Sequence, residues 1–248
     1  ALPRYNELVE GFGPLQPPPQ PAPVAITSVY DNTRAFYHLR YRYNAPLAFM
    51  DSIEIHAAEQ VVSDERLDRT VANPGRNVFE NNRSSLSGLT VQAQTQLGAA
   101  YNVLYGIEVY QDRVDSLTKR ETPPGSGAFT FNSTTTFQSR FPDGADAQSY
   151  GAYAVNEWNL TDRWLLDVGG RYTHSRTVLP LADRLQAATL TDDDFTASLG
   201  TRYAVTPALA WTANVGRGYR APNINDLAQT GARAGGRVVV ANLNLKPE

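Results

Sequence analysis

The side chains best suited to chemistry are three histidines, a run of three aspartates, a basic loop and a loop rich in phenylalanine. His38, His56 and His174 each stand alone in the sequence, and a lone histidine is most simply a packed or solvated residue. Asp192-Asp193-Asp194 offers oxygen ligands to a hard cation, although a solvated strand cap explains the same run. The segment Gly231 to Arg237 is flexible and basic; its Arg233 and Arg237 suit an anionic ligand. Between Thr118 and Gln148, Phe129, Phe131, Phe137 and Phe141 stand among Ser, Thr and Gly. Aromatics exposed there would grip a planar or aryl-bearing ligand, or pack the loop against its neighbours. Catalysis finds no matching set. There is no cysteine, no Gly-x-Ser-x-Gly elbow and no phosphate-cradling Gly-x-x-x-x-Gly-Lys. Gly125-Ser126-Gly127 after two prolines reads as a hinge. The expectation is a non-enzyme with no catalytic residue, no resident metal and no cofactor. A net charge of −3 gives no basic footprint for nucleic acid.

The elements that position these residues alternate with period two. Ala35, Tyr37, Leu39, Tyr41 and Tyr43 oppose Phe36, His38, Arg40 and Arg42. Ile53, Ile55, Ala57 and Val61 oppose Glu54, His56, Ala58 and Gln60. Further runs at residues 89–97, 103–112, 150–160, 164–172, 197–205 and 209–219 repeat the pattern. That makes about eight strands, each near the ~9–11 residues a tilted membrane strand needs. The charges Arg40, Arg42, Glu54, Glu108, Asp112, Asp167, Arg171 and Arg202 keep the polar parity. They read as a solvated wall with mutual salt bridges, or as groups that guide a substrate.

Short connections at residues 45–51, 99–101, 161–163 and 206–207 alternate with long ones at 70–84, 119–147, 179–192 and after 221. Short turns at one end and long loops at the other describe an antiparallel meander of the outer-membrane type. Nothing in a soluble sandwich demands that segregation. Thirteen tyrosines, three tryptophans and a negative mean hydropathy fit strands that show lipid on one face and water on the other. Tyr150 with Trp158, and Trp164 with Tyr172, bracket their apolar faces as interfacial rings do. The row Gln92-x-Gln94-x-Gln96 suits a wet lumen better than a sheet-on-sheet core. No stretch approaches twenty apolar residues, so no transmembrane helix is expected. Residues 1–33, with Pro17-Pro18-Pro19-Gln20-Pro21, read as a stiff exposed loop.

Two motifs at the end of the chain carry a resemblance. Gly218-Tyr219-Arg220-Ala221-Pro222 follows the last alternating strand, and Asn242-Leu243-Asn244-Leu245-Lys246-Pro247-Glu248 closes the sequence. The pair resembles the Phe-Arg-Ala-Pro box and the Asn-Pro-Asn-Leu-Lys-Pro-Glu motif of TonB-dependent outer-membrane receptors, with Tyr219 for the Phe and Leu243 for the first Pro. Ala1-Leu-Pro-Arg-Tyr-Asn-Glu-Leu, the segment Glu59 to Arg69, and Arg140-Phe141-Pro142-Asp143-Gly144 before Ser149-Tyr150 resemble further loop and strand ends of the family. The resemblance implies a fold and a function. The fold is all-β, about eight antiparallel strands of a 22-stranded transmembrane barrel. Residues 1–33 would be an extracellular loop, 34–220 strands and loops, and 221–248 a loop and the start of the next strand. The plug and the C-terminal strands would lie outside this sequence, as an internal piece of a longer protein.

The function implied is outer-membrane import of a metal chelate, foremost a ferric siderophore. A TonB-type energy-transducing partner would act through the plug, with outer-membrane lipid around the wall. Haem or haemoprotein iron and cobalamin or an oligosaccharide are the alternatives within the family. Receptors of this kind that take haem usually carry a histidine between the two motifs, and residues 223–241 contain none. A passive porin and a soluble β-sandwich binding module remain readings from other classes. Arg220 has two readings of its own: tying the loop base to carboxylates, or contacting an anionic ligand.

Overall fold

Alternating side chains commit this sequence to strands, and in a meander each strand finds its pairing partner next in the chain. The computed structural model describes residues 25–47, 50–70, 73–121, 139–182, 185–233 and 237–248. Among them, eight strands form one antiparallel sheet in chain order: β1 (Ala25–Leu47), β2 (Met50–Thr70), β3 (Asn73–Leu97), β4 (Tyr101–Glu121), β5 (Ala145–Thr161), β6 (Trp164–Leu179), β7 (Ala188–Thr206) and β8 (Leu209–Gly216). β1 and β8 are the sheet edges, so the described strands do not close into a barrel. No helix of the described residues is long and apolar enough to cross a membrane, which leaves strand crossing untouched.

Register places the two parities as the sequence predicts. Residues paired across an antiparallel ladder share a face. The pairs Arg42↔Glu54, Glu54↔Gln92, Gln92↔Gly106, Gly106↔Tyr153 and Tyr153↔Arg171 therefore lie in one row of the polar face. On the other face, Tyr101↔Trp158 and Trp164↔Tyr203↔Trp211 line the turn end with aromatic rings. Tyr150 and Tyr172↔Phe195 do so towards the loop end. Tyr150 to Trp158 spans eight residue steps, about 27 Å along a strand at ~3.4 Å per residue. Tilted by roughly 40°, that covers about 20 Å of height, close to the ~25 Å apolar band of outer-membrane barrels.

The turns at the short end are tight. Gly98 takes φ +67° between β3 and β4, a conformation that L side chains rarely adopt, and residues 162–163 join β5 to β6. At the opposite end the strands run further than the alternation suggests. β1 starts at Ala25 rather than Arg34, β5 at Ala145, and β7 at Ala188. The segment 70–84, expected as a long loop, is instead mostly β3, paired with β2 up to Thr70↔Asn73. Most of its residues are polar, so periodicity fades there while ladder hydrogen bonds continue to hold the strand. The last strand ends sooner than expected, at Gly216 rather than Tyr219.

One dry cluster exists among the described residues, and it sits on the polar face at the loop end. Val114, Ala145, Leu179 and Leu185 meet Ile224, Leu227 and Ala228, with Phe141 and Leu243 packed against them. The last three buried residues belong to a single-turn helix, α1 (Ile224–Ala228), followed by a small hairpin of β9 (Gly231–Arg233) and β10 (Arg237–Val239).

Candidate functional site: the loop-end cleft

The chain after β8 folds back across the polar face because local chemistry makes it turn. Pro222 cannot continue a ladder, and Asn223 then caps α1. The Asn223 side chain accepts from the Asp226 backbone N–H (2.9 Å), and the Asp226 carboxylate accepts from the Asn223 N–H (3.2 Å). This reciprocal box satisfies two helix donors at once. Ile224, Leu227 and Ala228 turn down into the cluster. Thr230 N–H, just past α1, donates to the Arg140 carbonyl (3.0 Å) and Asn242 N–H to the Leu227 carbonyl within it (2.9 Å), so two neighbouring loops are tied to this segment.

The two end motifs bind each other. Arg220 N–H donates to the Glu248 carbonyl (2.9 Å) and Glu248 N–H to the Arg220 carbonyl (3.1 Å). The Arg220 guanidinium reaches the Asp226 carboxylate (2.5 Å) and lies 3.5 Å from that of Glu248. Arg220 therefore ties the loop base to carboxylates, the first of its two predicted readings. Tyr219 donates to Asp192 Oδ2 (2.5 Å) and lies 3.4 Å from Ser175 Oγ. Burial, and then that hydrogen bond, push its phenol up to about 12.

On either side of Asn223 lies a cleft. The larger, about 470 Å³, is lined by Glu108, Tyr110, Arg171, Thr173, Tyr219 and Asn223. The smaller, about 340 Å³, is lined by Asp64, Asn82, Asp112, Arg140, Phe141 and Ile224. Both mix charge signs with hydrogen-bonding groups, as sites for a polar ligand do. Arg140 pairs with Asp64 (3.2 Å). Asn82 is 7% exposed; its Oδ1 accepts from Ser116 Oγ (2.6 Å), while its Nδ2 has no partner. A third hollow of about 930 Å³ is larger but lies mainly on the apolar face, among Ile53, Val91, Ala93, Ala154, Val168 and Ala197. Its lining is mostly apolar, and it shares only Arg171 with the clefts above.

Below the clefts the polar wall is internally paired. Arg40 holds Glu54 (2.8 Å) with Arg42 at 3.9 Å, and Ser84 donates to Asp112 (2.8 Å). Arg171 reaches Glu108 across the intervening strand β5. That bridge passes over Gly151, where a Cβ would stand 2.6 Å from Arg171 Nη2. Among the described residues no three His, Cys, Asp or Glu side chains gather as a metal site. The Asp192–Asp194 run is divided: Asp192 and Asp194 face the polar side, bonded to Tyr219 and Arg217, while Asp193 bonds to Tyr172 and His174 on the other.

The family model described as TonB dependent receptor-like, beta-barrel, matches residues 4–248. The chain belongs to that family. Barrels of TonB-dependent receptors are outer-membrane proteins of Gram-negative bacteria, so the apolar face is the lipid face and the polar face the lumen wall. Three solved structures share the fold. The copper transporter OprC superposes with a TM-score of 0.68 at 14% identity, over 88% of this chain and 35% of its own. The ferric yersiniabactin uptake receptor FyuA from Yersinia pestis gives 0.60 at 17%, over 90% and 32%. The Serratia marcescens hemophore receptor HasR, solved as a double mutant with hemophore HasA and heme, gives 0.57 at 14%, over 89% and 35%. The chain thus spans about a third of the length of each. No curated protein matches the sequence.

The predicted site residues of this receptor segment fall into three groups. Tyr219, Arg220, Ala221, Pro222 and Leu243 gather at the loop-end cluster or its clefts, with Gly218 and Asn242 to Glu248 beside them. Arg233 and Arg237 stand directly opposite in the β9–β10 register. Phe141 packs against the dry cluster, the second reading of the aromatic loop, while Phe129, Phe131 and Phe137 lie outside the described residues. The polyproline run and the opening Pro-Arg-Tyr-Asn also lie outside them. Sequence reading missed α1 altogether. Its signal was Pro222-Asn223-x-x-Asp226, a cap residue followed three positions later by an acid.

Proposed function

We propose that this chain forms the wall and loop-end binding surface of an outer-membrane receptor that imports a metal chelate, foremost a ferric siderophore. The carrying observation is the pair of clefts that α1 leaves on the lumen face, lined by Arg171, Tyr219, Asn82 and Arg140. An oxygen-rich, charged chelate needs both cations and donors, and the unpartnered Asn82 Nδ2 is a donor buried at such a wall. Arg233 and Arg237 would draw an anionic chelate towards the opening. Import against a gradient requires energy, which in this reading comes from a TonB-type partner acting through a plug outside this sequence. A porin built from the same strands would need neither. Haem is a weaker fit, because residues 223–241 hold no histidine to ligate its iron.

The test is growth of a receptor-deletion strain under iron starvation, complemented with the intact gene and fed ferric siderophores, haem or haemoprotein. Rescue by siderophore alone, abolished by de-energising the membrane, is the expected result. Rescue by haem alone moves the assignment to haem, and energy-independent entry of small solutes sinks the receptor mechanism. Exchanging Arg233 and Arg237 for Ser should reduce uptake at low chelate concentration; unchanged uptake removes them from the site.

A further inference from the structure

We propose that His38 and His56 form a two-histidine site for a borderline divalent cation (Cu²⁺, Ni²⁺ or Zn²⁺) on the lumen wall, separate from the loop-end clefts. The two residues lie on adjacent strands, on the same polar face, one diagonal step apart: His38 pairs with Ala58, and Arg40 with His56. Sequence separation hides this, and only the register of the β1–β2 hairpin brings them together.

Their facing nitrogens share a hydrogen bond, and a cation would take the place of the proton between them, which leaves to solvent. His38 Nε2 and His56 Nδ1 are 3.0 Å apart, with the rings nearly parallel at 16° and centroids 5.3 Å apart. Two imidazole nitrogens bound to one cation at ~2.0–2.1 Å lie about 2.8 Å apart in a cis square-planar arrangement and about 3.3 Å apart in a tetrahedral one. The observed separation falls between the two. A cation entering at this pair would sit on the polar face, where His38 is exposed.

The surroundings select the ligating atom. His56 Nε2 is bonded to the Glu54 carboxylate, which fixes the proton there and leaves Nδ1 as the lone-pair nitrogen. Glu54 is itself held by Arg40 through contacts of 2.8 Å. This carboxylate behind a histidine is the outer support that metal-ligating imidazoles carry. It also offsets part of the positive charge of Arg40 and Arg42, both of which contact it. No third protein ligand completes the set among the described residues, so the remaining positions are open to water or to a donor on a passing cargo. Such a site binds more weakly than a closed three- or four-ligand site and exchanges its metal readily.

The experiment uses the intact receptor, purified in detergent without a histidine tag, and titrates it with Cu²⁺ alone. Wild type should bind one equivalent more than H38Q/H56Q, with an electron paramagnetic resonance signal showing two imidazole nitrogens. Either single variant should lose that equivalent, and E54Q should keep it with affinity lowered about 10- to 100-fold. Equal Cu²⁺ binding by the double variant, or a signal with fewer than two nitrogens, overturns the site. Should the variants misfold, diethylpyrocarbonate labelling of wild type decides. Cu²⁺ should protect His38 and His56 together, and unprotected labelling of either sinks the proposal.

Discussion

Across the strands between the two aromatic rows, Ala93, at 8% exposure, is the one buried apolar side chain among the described residues. At the loop end, Val114, Ala145, Leu179, Leu185, Ile224, Leu227 and Ala228 bury one another in a few turns of chain. The wall has no interior of its own: Trp211 is 72% exposed on the lipid face, and Arg40 is largely open on the other. It is held by ladder hydrogen bonds and by lipid, for which unpaired backbone is the costly alternative. The loop-end cluster is held as a soluble core is held, by apolar area removed from water. Two regions of one sheet therefore answer to different substitutions, and this is where the contrast can be broken.

The largest effect belongs to the lipid face. Val168 lies midway between Trp164 and Tyr172 on β6, near the middle of the apolar band. Val168→Arg should destabilise the intact receptor by about 2–4 kcal/mol. Asn214→Arg, on the lumen face of β8, should change it by less than about 1 kcal/mol, since the arginine stays in water. Urea unfolding in lipid vesicles compares the two. Equal losses would mean that the faces are assigned wrongly.

In the cluster, Leu227 is 1% exposed. Leu227→Ala should cost the loop end about 2–3 kcal/mol, at the lower end for a buried leucine because the cluster is small and can partly collapse. Amide exchange should quicken at residues 224–230 and stay unchanged in β3 and β4. If the strands loosen as well, cluster and wall are one cooperative unit and the contrast fails. Asn223→Ala removes one half of the reciprocal cap, about 1 kcal/mol. Exchange in α1 alone should rise about fivefold. No rise would show that burial of Ile224 and Leu227, rather than the cap, sets the helix.

The same contrast explains what could be read from the sequence. Where a strand separates lipid from water, its residues must alternate, so Tyr150 to Trp158 and Trp164 to Tyr172 announce their faces. Gly98 and residues 162–163 announce the turns because the chain there has to reverse within a few residues. Above the membrane both faces of the sheet are wet. Nothing then requires Asn81, Asn82 and Arg83 to alternate, and they read as loop although they pair in β3. The site was legible as two motifs but not as an assembly. The Arg220–Glu248 pairing joins residues 28 apart and the Arg140–Asp64 contact residues 76 apart, distances over which local patterning carries no signal. α1 is a single turn, too short for a 3.6-residue period to appear.

The smallest expected effect joins the two regions through Tyr219, which leaves the loop-end motif and bonds to Asp192 on strand β7. Its phenol is pushed up to about 12, first by burial and then by the hydrogen bond to the Asp192 carboxylate. Folding therefore favours the neutral phenol. For a group whose folded pKa exceeds its unfolded value of about 10, the stabilisation is complete below about pH 10. It is lost as pH rises through about 12, where the folded form ionises beside a carboxylate. Only the loop end should respond, since the wall strands do not depend on this bond. Amide exchange or tryptic nicking after β8, followed from pH 8 to 12, should show wild type loosening across the upper half of that range. Tyr219→Phe lacks this ionisation, so its loop-end protection relative to the intrinsic exchange rate should lack the wild-type fall, starting from a slightly looser state because the bond to Asp192 is gone. A wild-type profile that matches Tyr219→Phe would mean that the phenol does not couple the motif to the wall.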